Sequence, residues 1–154
     1  MITQKDAKII SHLRNNARKK ITNIATDLNI PATTIYDKLR VHEKKFINKH
    51  TTLLNFQNLG LHAKAHLSIK VERNSKEDLQ KFLLDNPNVN SLYRTNFGSD
   101  FLAEVVFKNT AQVGNLVENL EDYFKAQVQV FNVIEELKKE SFLTDPAHFE
   151  LMKS

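Results

Sequence analysis

The sequence predicts an α+β chain in two parts, a winged helix-turn-helix followed by a ferredoxin-like βαββαβ plait. Three observations carry that reading. The hydrophobic period changes from helical spacing to strict alternation near Gly60, the charge changes sign at the same place, and the elements beyond it run strand, helix, strand, strand, helix, strand. Residues 1–60 hold eleven Lys and Arg against four Asp and Glu, a net +7, whereas residues 61–154 hold eleven against fourteen, a net −3. The expected boundaries are a helix-turn-helix part at 1–47, a wing or linker strand at 48–60, a plait at 61–136 and a C-terminal arm at 137–154.

Each element has its own warrant. Thr3 is a helix cap with Asp6 three residues on, and Ile9, Ile10, Leu13 and Ala17 continue the i, i+3, i+4, i+7 spacing of a first amphipathic helix. Ile21, Ile24, Ala25 and Leu28 make a second short helix that stops near Asn29. Pro31 cannot extend that helix but suits the first turn of the next, which runs to about Lys44 and buries Ile35, Leu39 and either Val41 or His42. Its outer face shows Thr33, Thr34, Tyr36, Asp37, Lys38 and Arg40. Three helices with a tight second turn and a basic third helix describe a helix-turn-helix, whose last helix enters the DNA major groove. Asn48 to Leu54 then reads as an extended wing.

The plait begins with the clearest strand, where Leu61, Ala63, Ala65, Leu67, Ile69 and Val71 alternate with His62, Lys64, His66, Ser68 and Lys70. Ser75 is expected to cap a helix with Leu79, Phe82 and Leu83 inward, ended by Asn86-Pro87-Asn88. Val89–Asn96 and Asp100–Phe107 form a hairpin around Gly98, Thr110 opens a helix carrying Val113, Leu116, Val117, Leu120 and Phe124, and Val128–Ile134 is the fourth strand. Leu137–Ser154 is a charged stretch read as a helix or arm.

Composition narrows the chemistry. A chain of 154 residues with no Cys has no disulfide framework, thiolate metal site or cysteine nucleophile. The first 14 residues include Lys5, Asp6 and Lys8, unlike a signal peptide, and no stretch of 18 uncharged apolar residues occurs, so a cytoplasmic protein with no membrane partner is expected, its nucleoid association resting on the DNA-binding reading alone. His62 and His66 lie about 13 Å apart on a strand, too far to share a metal ion. His12, His42, His50 and His148 are isolated, and no catalytic set of side chains stands out.

Along nearly its whole length the chain resembles the Lrp/AsnC, or feast/famine, family of transcriptional regulators. The resemblance is carried by Asp6-Ala7-Lys8-Ile9-Ile10 with Leu13 and Asn16-Ala17-Arg18, by Ile24-Ala25 with Leu28, by Thr33-Thr34-Ile35 with Lys38-Leu39, and by Leu59-Gly60 at the entrance to the plait. It implies a regulator that binds double-stranded DNA as a homodimer assembling to a tetramer or octamer, responds to an amino-acid effector through a RAM-type plait, and needs no cofactor. The chain departs from the family at Pro31, where a Ser is usual, at Lys38, where an Arg is usual, and at Lys45-Phe46, where a Gly is usual. Gly98 and Asp100 are two apart, against a usual three.

The residues expected to meet DNA follow from charge and position. Arg18, Lys19 and Lys20 sit at the turn between the first two helices, and Lys38, Arg40, Lys44, Lys45 and Lys49 extend the basic surface toward phosphates. Thr33, Thr34 and Tyr36 open the third helix, where base edges are read. Asn96, Gly98, Ser99 and Asp100 form a loop with concentrated polar groups, the expected effector or dimer contact. Two other readings share the architecture. A siroheme-decarboxylase-like enzyme would gather His62, His66, Arg73 and Arg94 around a tetrapyrrole, and an architectural protein would coat DNA without discrete sites.

Overall fold

A computed structural model describes residues 2–153, folded as two compact units, one of Met1–Leu53 with Leu137–Ser154 and one of Leu54–Glu136. In the first, α1 spans Gln4–Asn15, α2 Ile21–Leu28 and α3 Ala32–Lys45. The Thr3 hydroxyl accepts the Asp6 N–H at 3.2 Å while the Asp6 carboxylate accepts the Thr3 N–H at 2.9 Å, a reciprocal cap that fixes where α1 starts. Asn29 ends α2 in the left-handed conformation at φ 51°, and Pro31 occupies the cap position of α3, where its missing N–H leaves no bond unmade.

Ile9, Ile24 and Ile35, all at 0% exposure, are the centre of the three-helix core. His42 and not Val41 lies inside, with Val41 46% exposed. The helical period explains the choice, because a residue seven positions from Ile35 returns to the same face and one six positions away does not.

One expectation is corrected here. Residues 48–55 form no strand or wing. They run as irregular chain into a 3-10 turn at Gln57–Leu59, with Leu53 and Leu54 each 56% exposed. Two adjacent leucines break the alternation a strand needs, and among the described residues this unit holds no strand to pair with. The C-terminal stretch, expected as a helix or arm, packs on the first unit and ends in a short helix. Leu143 is buried against Ala7 and Ile10, and a 3-10 helix at Pro146–Met152, capped by Asp145, adds Phe149 and Met152 to that cluster.

The second unit runs β1 Ala63–Lys70, α4 Lys76–Asp85, β2 Val89–Arg94, β3 Phe101–Phe107, α5 Thr110–Phe124 and β4 Gln127–Asn132. The sheet is antiparallel in the order β2-β3-β1-β4, with Leu67 opposite Ala103 and Val130. Ala63, Ala65, Leu67 and Ile69 pack with Leu79, Leu83, Leu116, Leu120 and Phe124, so both helices cover one face. That is the plait the element order implies. Phe82 is 36% exposed and lies at the margin of this core, and Ser75 makes no side-chain cap, because α4 grows out of a 3-10 turn at Arg73–Ser75.

On the helix-free face, Lys64 bridges Glu104 at 3.1 Å and Glu136 at 2.6 Å. Burial alone would lower the Lys64 pKa, but the two carboxylates outweigh it and hold the ammonium above its ordinary value. No helix among the described residues is long and apolar enough to cross a membrane.

Candidate nucleic-acid interface and ligand cleft

Helix α3 turns Thr33, Thr34, Tyr36, Asp37 and Arg40 to solvent, with Tyr36 54% exposed. Lys44 and Lys45 in its last turn and Lys49 beyond it are exposed as well. Neither α2 nor α3 has a side-chain cap, so apart from the Asn23 N–H, which donates to Lys20 O at 3.0 Å, their first-turn N–H groups are left for water or for phosphate oxygens, toward which the helix dipole is favourable. Arg18 and Lys20 are exposed at the turn before α2, on a concave surface of about 530 Å³ shared with Asn16 and Asn23.

Two of the expected cations are already engaged. Lys19 pairs with Asp27 and lies 3.0 Å from His12 Nδ1. That contact lowers the Asp27 pKa, while burial first and the Lys19 ammonium second lower that of His12. Lys38 does not stand free on the outer face. Its Nζ lies 2.7 Å from Asp6 Oδ1, an oxygen that His42 Nε2 also approaches at 2.9 Å.

The Asp6 carboxylate therefore joins the first turn of α1 to the middle of α3. Burial taken alone would raise its pKa, yet the bonds from Lys38, Thr3 and His42 together hold it far below the carboxylate range. An ionised Asp6 only accepts, so Nε2 of His42 carries a hydrogen. His42 is 1% exposed and its Nδ1 has no partner. The sequence indicated the Thr3–Asp6 cap but not this second use of Asp6, which depends on contacts 32 and 36 residues away.

In the plait, the loop between β2 and β3 is fixed from within. The Thr95 N–H donates to Asp100 O at 2.9 Å, and the Thr95 hydroxyl bonds Ser99. Asp100 accepts the Val71 N–H at 2.9 Å and pairs with Lys76, which lower its pKa, the lysine contributing most. Gly98, at φ 100°, allows the reversal, while Phe97, itself left-handed at φ 56°, projects with 98% of its surface exposed. Asn96 and Gly98 are exposed, Ser99 and Asp100 half-buried.

Beside this loop a cleft of about 290 Å³ is lined by Arg73, Lys76, Glu77, Arg94, Thr95, Asp100 and Phe101. Of the expected effector residues only Asp100 lines it. Lys76 and Glu77 were not legible as ligand groups, since nothing in a helix start announces a cleft, and Arg94 is additionally tied to Gln80 at 2.6 Å. The residues that would have to surround a tetrapyrrole are not brought together. Arg73 and Arg94 line the cleft, while His66 lies on the helix-free face 3.8 Å from Glu104. No group of three metal-ligating side chains occurs among the described residues.

No family model matches the chain. It is 25% identical over 147 residues to an uncharacterised HTH-type transcriptional regulator of Pyrococcus abyssi, across 95% of this chain and all of that protein. Among solved structures, the transcriptional regulator NMB0573 of Neisseria meningitidis in complex with L-Met superposes with a TM-score of 0.82 at 17% identity, covering 90% of this chain and 94% of that one. LrpC of B. subtilis gives a TM-score of 0.82 at 17% identity, covering 90% of this chain and 98% of that one. The chain thus has the fold of the Lrp/AsnC regulators and resembles an HTH-type transcriptional regulator in sequence along nearly its full length.

Proposed function

We propose that the chain is a sequence-specific DNA-binding transcriptional regulator of the Lrp/AsnC type, acting in the cytoplasm as a binding protein and not as an enzyme. One observation carries the reading: α3 exposes polar Thr33, Thr34 and Tyr36 at its start and cations along its remainder, on a three-helix core that holds it rigid. The N-terminal residues of such a helix reach base edges in the major groove. Arg18, Lys20, Arg40, Lys44, Lys45 and Lys49 neutralise phosphates on either side, and the uncapped starts of α2 and α3 add N–H donors.

The active species is a homodimer, assembled further into tetramers or octamers. A two-fold pair sets its recognition helices about 34 Å apart, or a multiple of it, on a palindrome-like site. The cleft at Asp100 is the seat of a small amino-acid effector. Its support is chemical, since Arg73 suits a carboxylate and Glu77 an ammonium group, and the structurally similar NMB0573 was solved with L-Met.

A gel-shift series with the purified protein on its own upstream region and on random DNA, over a range of salt, tests the reading. Preferential retention of the upstream fragment is expected. Equal retention of both fragments would leave only an architectural role, and retention of neither would end the DNA-binding reading.

A further inference from the structure

The chain that follows β4 is anchored twice. Val133 N–H donates to Lys64 O at 2.8 Å and the Glu136 carboxylate takes the Lys64 ammonium at 2.6 Å, so residues 133–136 are held by β1. Four residues later α1 takes hold. The Arg14 guanidinium donates to the Phe142 carbonyl at 3.0 Å and to the Glu140 carbonyl, and pairs with the Glu140 carboxylate at 3.2 Å. Asn15 Nδ2 donates to the Thr144 carbonyl at 2.7 Å. Leu143, 6% exposed, then packs on Ala7 and Ile10.

Helix α1 therefore has two apolar faces, Ile9 and Leu13 toward α2 and α3, Ala7 and Ile10 toward the C-terminal segment. Glu140 and Leu143 both adopt left-handed backbone, φ 49° and 61°, which residues with a Cβ avoid unless surrounding contacts hold them there.

We infer that residues 140–152 are a strap that completes the DNA-binding unit, so that DNA affinity depends on a segment outside the helix-turn-helix. This rests on the DNA-binding reading above. A three-helix unit of about fifty residues buries too little surface to be firmly stable alone, and the strap supplies it with a second apolar cluster. What the strap steadies is the helix on which the interface depends. Through Asp6, α1 positions α3, and its last turn leads into Arg18 and Lys20.

The test uses the full chain carrying Leu143→Ser, which removes no charge, with Leu143→Met, unbranched at Cβ and so no worse in left-handed backbone, as the conservative control and Arg14→Gln as a second break. Hydrogen exchange and gel-shift affinity at fixed salt are measured on each. For Leu143→Ser and Arg14→Gln, α1 amides are expected to exchange at least tenfold faster with β1 and β3 unchanged. DNA affinity should fall at least tenfold for Leu143→Ser, and Leu143→Met should keep both at the level of the unmodified protein. Unchanged α1 exchange would overturn the strap. Faster exchange with unaltered affinity would overturn its part in DNA binding. If the unmodified protein retains no DNA, the function reading is what fails, and α1 exchange still decides the strap.

Discussion

Lys38 Nζ sits 2.7 Å from Asp6 Oδ1, so a cation of the proposed recognition helix is held by the first turn of α1. The same oxygen receives His42, and the other carboxylate oxygen receives Thr3. Asp6→Ala removes all of these at once. Thr3 still caps the backbone N–H of residue 6, so losing the carboxylate half of the capping box costs up to about 1 kcal/mol, and the buried His42 N–H left without an acceptor costs about 1–3 kcal/mol more. The expected destabilisation of the first unit is about 3 kcal/mol, read by urea unfolding followed with probes in each unit. Unfolding of the plait should not move. A loss shared equally by both units would contradict this assignment.

Much of this was legible in the sequence, and the rest was not for identifiable reasons. Period-two alternation gave β1 and the 3.6-residue spacing gave the helices, because burial of one face leaves a local trace in the sequence. Register does not. His42 was indistinguishable from Val41 until the phase of α3 was fixed by Ile35, and Lys38 looked solvent-facing because its partner is 32 residues away. The strap escaped for the same reason. Its charged, aperiodic sequence conceals Leu143 and the backbone carbonyls that Arg14 binds, and carbonyls carry no sequence signal at all. At the ligand cleft, Asp100 was named from its loop, whereas Arg73, Lys76 and Glu77 come from a different element that only the fold brings alongside.

Acid should act on the first unit through Asp6. Its folded-state pKa is depressed, so the unfolded chain binds the proton more readily. The stability this confers is fully present above the ordinary carboxylate pKa and is lost as pH falls through that value toward the depressed one. Unfolding midpoints of the first unit are expected to decline modestly once pH falls below about 6.5, where the unfolded chain protonates His12 more readily than the folded one, and to drop steeply below about 4 as Asp6 takes up its proton. Asp6→Asn should lower the neutral-pH midpoint and flatten the acid limb, and an unchanged acid limb would show that another group is responsible.

Salt dependence separates the cations by role. Arg18→Ala and Lys20→Ala each remove an exposed charge at the proposed phosphate contact and should reduce the slope of log affinity against log salt by about 0.9. Lys38→Met should leave the slope unchanged and lower stability instead, because its charge is committed to Asp6. Thr34→Ala should behave differently again, relaxing the preference for the upstream site over random DNA at constant slope. Binding curves over a fivefold salt range for the four proteins decide the matter. A reduced slope for Lys38→Met would return it to the phosphate-contacting set.

The hairpin loop offers the sharpest separation of ligand response from DNA binding. Asp100 is spent on Val71 and Lys76, so it shapes the cleft and is not itself free for a ligand's ammonium group. Arg73 and Glu77 line the cleft as the groups left to bind. Arg73→Gln is therefore expected to abolish any amino-acid effect on the gel-shift while leaving ligand-free DNA affinity within about twofold, an energy below 0.5 kcal/mol. Asp100→Asn should weaken the effect through the cleft's shape and also lower plait stability, since it exchanges a charge-assisted pair for a neutral one. Gly98→Ala meets no neighbour within 4 Å, so its cost is conformational only, about 1 kcal/mol for a left-handed residue with a Cβ. Its ligand response should persist. A panel of the twenty amino acids titrated into the unmodified protein by calorimetry, then repeated on Arg73→Gln, reads the difference directly, and equal binding by both proteins would move the effector out of this cleft.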